Sequence, residues 1–390
     1  MLTTLLLAEL VTILTGPLVL PYLLYYAYIR TKVHSSAPYH SSRSDVKVSI
    51  LICVLNAAEA IQKKIEEILH QSHRLKSVEL IVIDGGSTDE TVEILDEMKR
   101  AVPEEIAFKV ISGRAFAGKA SQINEGFRVS SGPIVITTDV DCATDSNAIR
   151  ILVDSLSENG VGAVCSRQVL TNPDQSLPTE TEATYRHFYE TLRIGESNLH
   201  STPIYHGGLS GYRKDAYSPI DEDVNADDTQ LALAAIRKGF RAIYEPRSVF
   251  YAESPSGPAD SLRQRIRRGQ GLQRVFWRNR DLLFNAEFGR FGSIIFPATF
   301  FMHLISPLIL SVEIALLIML LISLGSYSVT ALVSEILAML GLLSLTYLRR
   351  SSRPIALLLT FVAYQMALIC AMLLHLFGQN YERWSGSQRL

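Results

Sequence analysis

Four long apolar runs, one near the start of the chain and three near its end, constrain the fold more than any other feature. They cover residues 5–28, 291–324, 330–348 and 355–377. About 20 mostly apolar residues in a helix cross the roughly 30 Å of hydrocarbon in a bilayer. Each run is close to or above that length, so the sequence predicts four membrane spans. The alternative is that single runs are buried helices of a large soluble protein.

Basic residues beside these runs predict how the chain is oriented in the membrane. Arg30 and Lys32 follow the first run, and Arg349 and Arg350 separate the last two. Because loops rich in lysine and arginine stay in the cytosol, we expect residues 31–290 to be cytosolic in an integral protein of the cell membrane. A signal peptide is the alternative for the first run, but the basic residues of a signal peptide precede its apolar stretch.

Charge and cysteine content exclude several classes of protein. The formal net charge of the chain is -2, which gives a polyanion such as a nucleic acid no overall attraction. No two of the four cysteines form a CxxC pair, so the sequence predicts neither a disulfide scaffold nor a zinc module. They are Cys53, Cys142, Cys165 and Cys370.

Between the apolar ends, short strands rich in β-branched residues alternate with amphipathic helices. The clearest strands are predicted over residues 48–56, 78–84 and 133–139. Continuously apolar strands that alternate with helices indicate a parallel sheet with both faces covered. The sequence therefore predicts an α/β fold with a Rossmann-like, mostly parallel sheet, together with transmembrane helices. In such a sheet, ligands bind at the carboxyl ends of the strands.

Polar residues follow three of these strands at their carboxyl ends. Asn56 and Asp84 close the first two, and Asp139 and Asp141 follow the third. Two carboxylates with one residue between them suit a hard divalent cation that takes phosphate oxygens and waters as its other ligands. The alternative for Asp139 and Asp141 is a loop or a helix cap, and Ser87 or Thr88 could cap the helix after Asp84.

Three further segments carry candidate functional residues. Lys119 opens a helix near the same edge, where it could contact a phosphate or lie in solvent. A glycine-rich stretch at 205–212 would let the backbone approach a ligand closely. Asp227 and Asp228 open a later helix, where either could complement the helix dipole or act as a general base.

A basic helix is predicted over residues 261–285, directly before the second apolar run. Its mixture of arginine and aromatic residues indicates a position at the lipid headgroups. One or two arginines near its start could instead neutralise a diphosphate, because guanidinium groups bind phosphate in a bidentate manner.

Taken in order, these motifs resemble those of a membrane-bound family 2 glycosyltransferase with a GT-A domain. The resemblance covers about residues 46–270 and is carried by VSILICVLNAAEAI, IVIDGGSTDET, GKASQINEGF, ITTDVDC, GGLSGYRKDAY, ADDTQLALAAIRKGFRAIYEP and QRIRRG. The order of these motifs is more specific than any one of them.

The resemblance implies roles for individual residues. Asp84 would accept a hydrogen bond from the nucleotide base, and Lys119 would lie near the nucleotide. Asp139 and Asp141 would be the DxD pair that holds Mg²⁺ or Mn²⁺, with Asp141 the firmer ligand, and Asp228 would be the catalytic aspartate. The other predicted binding residues are Asn56 and Arg267 for the donor, and Gly208, Ser210 and Gln264 for the acceptor.

One departure from the family pattern bears on the product. Gln264 and Arg267 match the start of the QxxRW motif of processive members, but Arg268 stands where that motif has tryptophan. We therefore expect a single inverting transfer from a UDP- or GDP-sugar to a lipid or lipid-linked acceptor at the cytosolic membrane face. The alternatives are a polyprenyl-phosphate sugar synthase, a processive polysaccharide synthase and, more remotely, a non-catalytic nucleotide-binding membrane protein.

The expected domain organisation follows from these segments. It comprises an N-terminal anchor at 1–30, the cytosolic GT-A domain at 31–257, an interfacial basic helix at 258–290, three transmembrane helices at 291–378 and a tail at 379–390.

Overall fold

A computed structural model of the protein describes residues 2–33, 46–72, 77–113, 116, 118–320, 322 and 353–379. Within them, eight strands form one sheet: β1 (Val48–Val54), β2 (Val78–Asp84), β3 (Ala107–Ser112), β4 (Ile134–Thr138), β5 (Ala143–Thr144), β6 (Val161–Leu170), β7 (Leu209–Arg213) and β8 (Arg241–Ala252). The main helices are α1 (Leu2–Arg30), α2 (Ala58–Ser72), α3 (Thr91–Ala101), α4 (Lys119–Val129), α5 (Ala148–Leu156), α6 (Leu177–Leu199), α7 (Asp227–Arg237), α8 (Pro258–Arg278), α9 (Phe291–Leu320) and α10 (Arg353–Leu376).

The sheet is mixed and mostly parallel, in the order β3-β2-β1-β4-β7-β6-β8-β5. Strands β1 to β4 run parallel, as predicted, and β6 pairs in parallel with β8. Strand β7 runs antiparallel between β4 and β6, and the short β5 pairs antiparallel with β8. The segment before β7 therefore meets the carboxyl end of β4, which brings the glycine-rich stretch to the edge where the parallel strands end.

Alternating side chains of the central strands feed two hydrophobic cores. Leu51 of β1 faces α4 and α7, whereas its neighbours Ile50 and Ile52 face α2, α3 and α5. Successive residues of a strand point to opposite faces, so a strand covered on both sides must be apolar throughout. This is why β1, β2 and β4 are buried over their whole lengths. Each large apolar side chain buried in this way contributes about 1.5–3 kcal/mol.

Helices α8 and α9 extend one of the two hydrophobic cores beyond the sheet. Phe276 of α8 packs in the same cluster as Phe291 and Phe296 of α9. Helix α9 has 30 residues; its most apolar 18-residue stretch has a mean hydropathy of 2.2, and only 17% of that stretch is buried. It is the one helix in the described ranges that is long and apolar enough to cross a membrane by length and composition.

The four predicted spans have different outcomes. The run at 291–324 corresponds to α9, the candidate span. The run at 5–28 is helical in α1 and the run at 355–377 is helical in α10 up to Leu376, where Thr360–Leu376 is an apolar helical segment shorter than a full span. The run at 330–348 lies outside the described residues.

Candidate active site

The carboxyl ends of β1, β2 and β4 lie side by side. In the parallel register, Val54 at the end of β1 pairs with Asp84 of β2, and Ile52 pairs with Thr138 of β4. Asn56, Asp84, Asp139 and Asp141 therefore belong to one edge of the sheet, because each lies at or just beyond the end of one of these strands.

Asn56 and Asp84 organise the two neighbouring loops. Asn56 has a positive φ of 51°; its Oδ1 accepts from the backbone N–H of Thr88 (2.8 Å), and its own N–H donates to Ser87 Oγ (2.8 Å). Asp84 is 1% exposed, and its carboxylate accepts from the N–H of Gly86 (3.2 Å) and from the N–H and hydroxyl of Ser87. In this arrangement the Asp84 carboxylate is engaged by its own turn.

The capping role predicted for Ser87 or Thr88 is wrong. Helix α3 begins at Thr91, and neither side chain caps it. Ser87 donates its hydroxyl to Asp84 instead, and Thr88 donates its N–H to Asn56. Asp89 accepts from the backbone N–H of Thr91 (3.1 Å) and so supplies an acceptor at the first turn.

Lys119, at the first position of α4, joins two acidic segments of the site. Its Nζ lies 2.7 Å from Asp139 Oδ1 and 3.5 Å from Asp227 Oδ2. Burial lowers the pKa of Lys119, but the charges of Asp139 and Asp227 more than offset that effect and hold it well above its usual value. Lys119 is therefore a permanent cation between the β4 loop and the start of α7.

Gly207 marks the point around which the charged groups gather. A Cβ at this position would lie 2.9 Å from Lys119 Nζ, 3.6 Å from Asp139 Oδ2 and 3.9 Å from Asp228 Oδ2. Any side chain here would displace at least the lysine. The glycine thus leaves open the space that an ammonium group and two carboxylates face.

The protonation of Asp228 is strongly altered by its surroundings. Burial, and then the charge of Asp227, raise the pKa of Asp228 to about 7. Its Oδ1 accepts from the N–H of Thr229 (2.8 Å). Ala226, just before the helix, has a φ of 89°, a conformation that costs a residue with a Cβ of order 1–3 kcal/mol and often marks functional sites.

Asp139 and Asp141 fit the donor set of a hard divalent cation. The backbone N–H of Asp139 donates to Gly208 O (3.1 Å), which holds the turn after β4. Partial loss of water around its carboxylate, and then the charge of Asp139, raise the pKa of Asp141. Such repulsion between two nearby carboxylates is relieved by a cation. Among the described residues no cluster of three or more protein ligands forms, so further ligands would have to come from phosphate and water.

Two of the predicted binding residues, Gln264 and Arg267, belong to α8. Arg267 is half-buried; burial and then the charge of Arg268 lower its pKa, while the attraction of Asp139, Asp141 and Asp227 opposes this change. It therefore lies within electrostatic range of all three acids. Gln264, one turn earlier, is also half-buried.

Two predicted acceptor residues are buried instead of lining the cleft. Ser210 is 0% exposed and donates its hydroxyl to His206 O (3.0 Å). A Cβ on Gly208 would lie 2.1 Å from the ring of Phe250. The Ser210 side chain is enclosed because β7 is a central strand with covered faces, and an acceptor contact at Gly208 or Ser210 stays a prediction. Both residues support the loop that carries Gly207.

Comparison with known proteins gives concordant results. A family model described as Glycosyl transferase family 2 matches residues 49–220. The poly-beta-1,6-N-acetyl-D-glucosamine synthase of Staphylococcus epidermidis is 25% identical over 264 residues, covering 65% of this chain and 63% of that protein. The synthase of Staphylococcus aureus strain COL is 22% identical over 236 residues, covering 60% and 56%. The matched regions thus span less than two thirds of these relatives.

One solved structure is similar over nearly the whole chain. It is the mannosyltransferase PcManGT from Pyrobaculum calidifontis in complex with GDP-Man and Mn²⁺, with a TM-score of 0.78 and 26% identity. The similarity covers 96% of this chain and 100% of that one. It includes the helices after the sheet as well as the sheet itself.

Proposed function

We propose that this chain, as a family 2 glycosyltransferase, uses a nucleotide sugar and transfers one sugar, with inversion, to a lipid or lipid-linked acceptor at the cytosolic membrane face. The observation that carries the proposal is the gathering of Lys119, Asp139 and Asp228 around the open space at Gly207. The arrangement offers a cation to a leaving diphosphate and a carboxylate to an attacking hydroxyl within one cleft.

On the donor side, the residues neutralise charge that develops as the sugar leaves. Asp139 and Asp141 would hold Mg²⁺ or Mn²⁺, which supplies positive charge to the diphosphate when it is bound. Lys119 and Arg267 add fixed cations at the same edge, where charge stabilisation is effective because little reorganisation is needed. The binding of Mn²⁺ with GDP-Man by the related mannosyltransferase supports this assignment.

On the acceptor side, Asp228 is the proposed general base. A pKa near 7 keeps its carboxylate partly available at neutral pH while making it a stronger base than an exposed aspartate. It would accept the hydroxyl proton as the acceptor oxygen attacks C1 opposite the leaving group, so the anomeric configuration inverts. Gln264 remains a proposed acceptor contact.

The nucleoside end of the donor is proposed to lie over the β1 and β2 loops. Asn56 holds these loops together, and Asp84 fixes the turn at residues 84–87. Direct acceptance from the base by Asp84 would require its carboxylate to exchange one of its local donors. GDP-mannose is the first donor to test, with UDP-sugars as the comparison.

A processive polysaccharide synthase is the second candidate, favoured by the similarity to the staphylococcal synthases. Arg268, in place of the tryptophan of the QxxRW motif, supports a single transfer instead. Product length distinguishes the two candidates. The proposed membrane arrangement keeps four spans with residues 31–290 in the cytosol, and α9 as a candidate span supports one of them.

The full-length protein, purified in detergent with Mn²⁺, provides the test. We expect it to release GDP or UDP from a nucleotide sugar and to glycosylate a hydroxyl-bearing lipid. Asp228→Asn should lower kcat for that transfer by about 10²–10⁴-fold and leave nucleotide affinity nearly unchanged. Exposed Asp174→Asn is the matched control. Full turnover in the Asp228 variant would remove the base assignment.

A further inference from the structure

A buried carboxylate outside the donor site is surrounded by more positive charge than it can neutralise. Glu182 of α6 is 1% exposed; its Oε1 accepts from Arg186 (2.6 Å) and from Arg268 of α8 (2.9 Å). Its Oε2 lies 3.8 Å from Arg265 Nε and accepts from the hydroxyl of Tyr364 on α10. These five residues, called the Glu182 cluster below, join three helices.

The Glu182 cluster carries a surplus of two positive charges among its own members. Burial raises the pKa of Glu182, but the charges of Arg186 and Arg268 and the hydroxyl of Tyr364 more than offset this and hold it at about 2. The Glu182 carboxylate is therefore ionised, and both of its oxygens already accept hydrogen bonds within the cluster. Buried charges are costly unless they are paired, so a surplus of guanidinium groups favours an additional anion.

Arg268 is the member that can reach such an anion. Its side chain is 41% exposed, whereas those of Arg265 and Arg186 are 8% and 9% exposed. Only its Nη1 donates to Glu182, and within the described ranges Nε and Nη2 donate to no protein group. A guanidinium edge with two free donors matches two oxygens of a phosphate.

The Glu182 cluster lies within electrostatic range of the segment before Gly207 and packs against an apolar helix. The charges of Arg193, Arg186 and Arg268, together with a larger effect of burial, hold the pKa of His206 well below its usual value. His206 directly precedes Gly207, so the positive region borders the cleft. On the other side, the ring of Tyr364 lies under Arg265 (4.7 Å to its centroid) and belongs to the apolar part of α10.

Arg193 adds to the positive charge of this region. It is 2% exposed, and its guanidinium donates to Ile204 O (2.9 Å) and contacts His206 Nε2 (2.6 Å). In the part of the chain that the structure describes, no carboxylate lies within ion-pair distance of it. The wall between the cleft and α10 is therefore cationic beyond the Glu182 cluster itself.

We propose that Arg268, held by Glu182, binds the phosphate of a phosphate-bearing lipid acceptor at the junction of α6, α8 and α10. This inference rests on the proposed function and specifies its acceptor class, a hydroxyl-bearing sugar carried on a lipid phosphate. Arg267, the preceding residue, lies within electrostatic range of the acids of the donor site, so in this proposal adjacent arginines serve the two substrates. An aromatic residue at position 268 would offer a stacking surface for a neutral sugar; arginine there selects an anion.

The acceptor assay uses full-length protein in detergent with one donor and two lipids of the same chain length. One lipid is a sugar linked to polyprenyl phosphate, and the other is the same sugar linked directly to polyprenol, so both offer a hydroxyl and only one carries a phosphate. Arg268→Gln should raise KM for the phosphate lipid about tenfold or more and leave donor KM unchanged. Arg268→Lys, which keeps the charge but loses the two-donor edge, should lie between. Arg263→Gln, on the exposed side of the same helix, should match the parent protein.

Direct binding separates this inference from the proposed function. Native mass spectrometry of the detergent-purified protein should show polyprenyl phosphate retained by the parent and lost in Arg268→Gln, with no competition from millimolar inorganic phosphate. Equal retention by both proteins would overturn the inference even if sugar transfer is intact. A change in donor KM alone would assign Arg268 to the donor diphosphate, which also overturns it. If the parent protein turns over no donor, the proposed function fails while the binding comparison still decides the inference.

Discussion

The ammonium group of Lys119 lies 2.7 Å from Oδ1 of Asp139, which pairs the first residue of α4 with the first carboxylate after β4. The contact is formed across two separate strand–helix connections. It keeps the Asp139 carboxylate oriented while leaving its other oxygen facing Gly207. A donor diphosphate would thus meet a cation whose position is already fixed.

Removing this cation should weaken donor use more than folding. Lys119→Met keeps the length of the side chain and removes its charge. We expect kcat/KM for the nucleotide sugar to fall at least tenfold, or about 1.4 kcal/mol of transition-state stabilisation. Lys99→Met, which removes an exposed lysine paired with Asp96, is the control. Unchanged kcat/KM in the Lys119 variant would contradict the phosphate contact.

The pH profile should report the environment of Asp228. Its pKa of about 7 results from burial and then from the charge of Asp227. Because a general base must be ionised, kcat/KM with a hydroxyl acceptor should decrease as the pH falls below about 7. Asp227→Asn removes a repelling charge, lowers the pKa of Asp228 and should move the acidic limb to lower pH.

A substitution away from the site provides the control for the pH profile. Asp221→Asn makes the equivalent change at an exposed loop residue that pairs with Arg278, and it should leave the limb in place. An acidic limb that stays unmoved in Asp227→Asn would show that another group titrates.

Metal dependence should be concentrated in the pair after β4. We expect Asp141→Ala to lower GDP or UDP affinity at least tenfold in Mn²⁺, to the level that the parent protein shows in EDTA, because phosphate then lacks a bridging cation. Isothermal titration in both conditions measures this, with Asp174→Ala as an exposed control. Undiminished metal-dependent affinity would count against a cation at this position.

Two adjacent glycines should respond differently to the same substitution. A Cβ on Gly207 meets the flexible end of Lys119, so Gly207→Ala should lower kcat/KM with little change in Tm. A Cβ on Gly208 meets the buried ring of Phe250, so Gly208→Ala should cost about 1–3 kcal/mol of unfolding free energy. Thermal unfolding and kinetics on both variants test the distinction, which a reversed pattern would refute.

Backbone strain before α7 gives a further prediction. Ala226 has a φ of 89°, which a β-branched residue tolerates poorly. Ala226→Val should lower the free energy of unfolding by about 1–3 kcal/mol and reduce kcat by shifting Asp228, whereas Ala226→Gly should retain both. Ala234→Val in the middle of α7 controls for helix propensity. Equal unfolding curves for the two valine variants would argue against strain.

Much of the sheet and of its functional edge could be predicted from the sequence. A strand covered on both faces is apolar throughout, and a residue after such a strand lies at the carboxyl edge by connectivity alone. The positions of Asn56, Asp84, Asp139 and Asp141 followed from this, as did the start of α4 at Lys119. Local chemistry and chain order are sufficient for features of this kind.

Hydrogen-bond partners could not be predicted in the same way. Asp84 could equally have faced the cleft, yet Ser87 lies close enough to donate to it. Ser210 belongs to a glycine-rich motif that suggests ligand contact, but the antiparallel insertion of β7 between β4 and β6 buries its side chain. Which donor is nearest depends on how loops from different strands pack, and that information is spread over the whole chain.

The sequence by itself determined the alternation of strands and helices, the acidic edge and the apolar segments, because periodicity and hydrophobicity act over neighbouring residues. Only the tertiary structure decided that Lys119 pairs with Asp139, that Gly207 leaves the central space open and that Glu182 gathers arginines from α6 and α8. The Lys119–Asp139 and Glu182–Arg268 contacts join residues that are 20 and 86 positions apart. Electrostatic interactions depend on distance in space, which is set by the folding of the sheet and the docking of its helices.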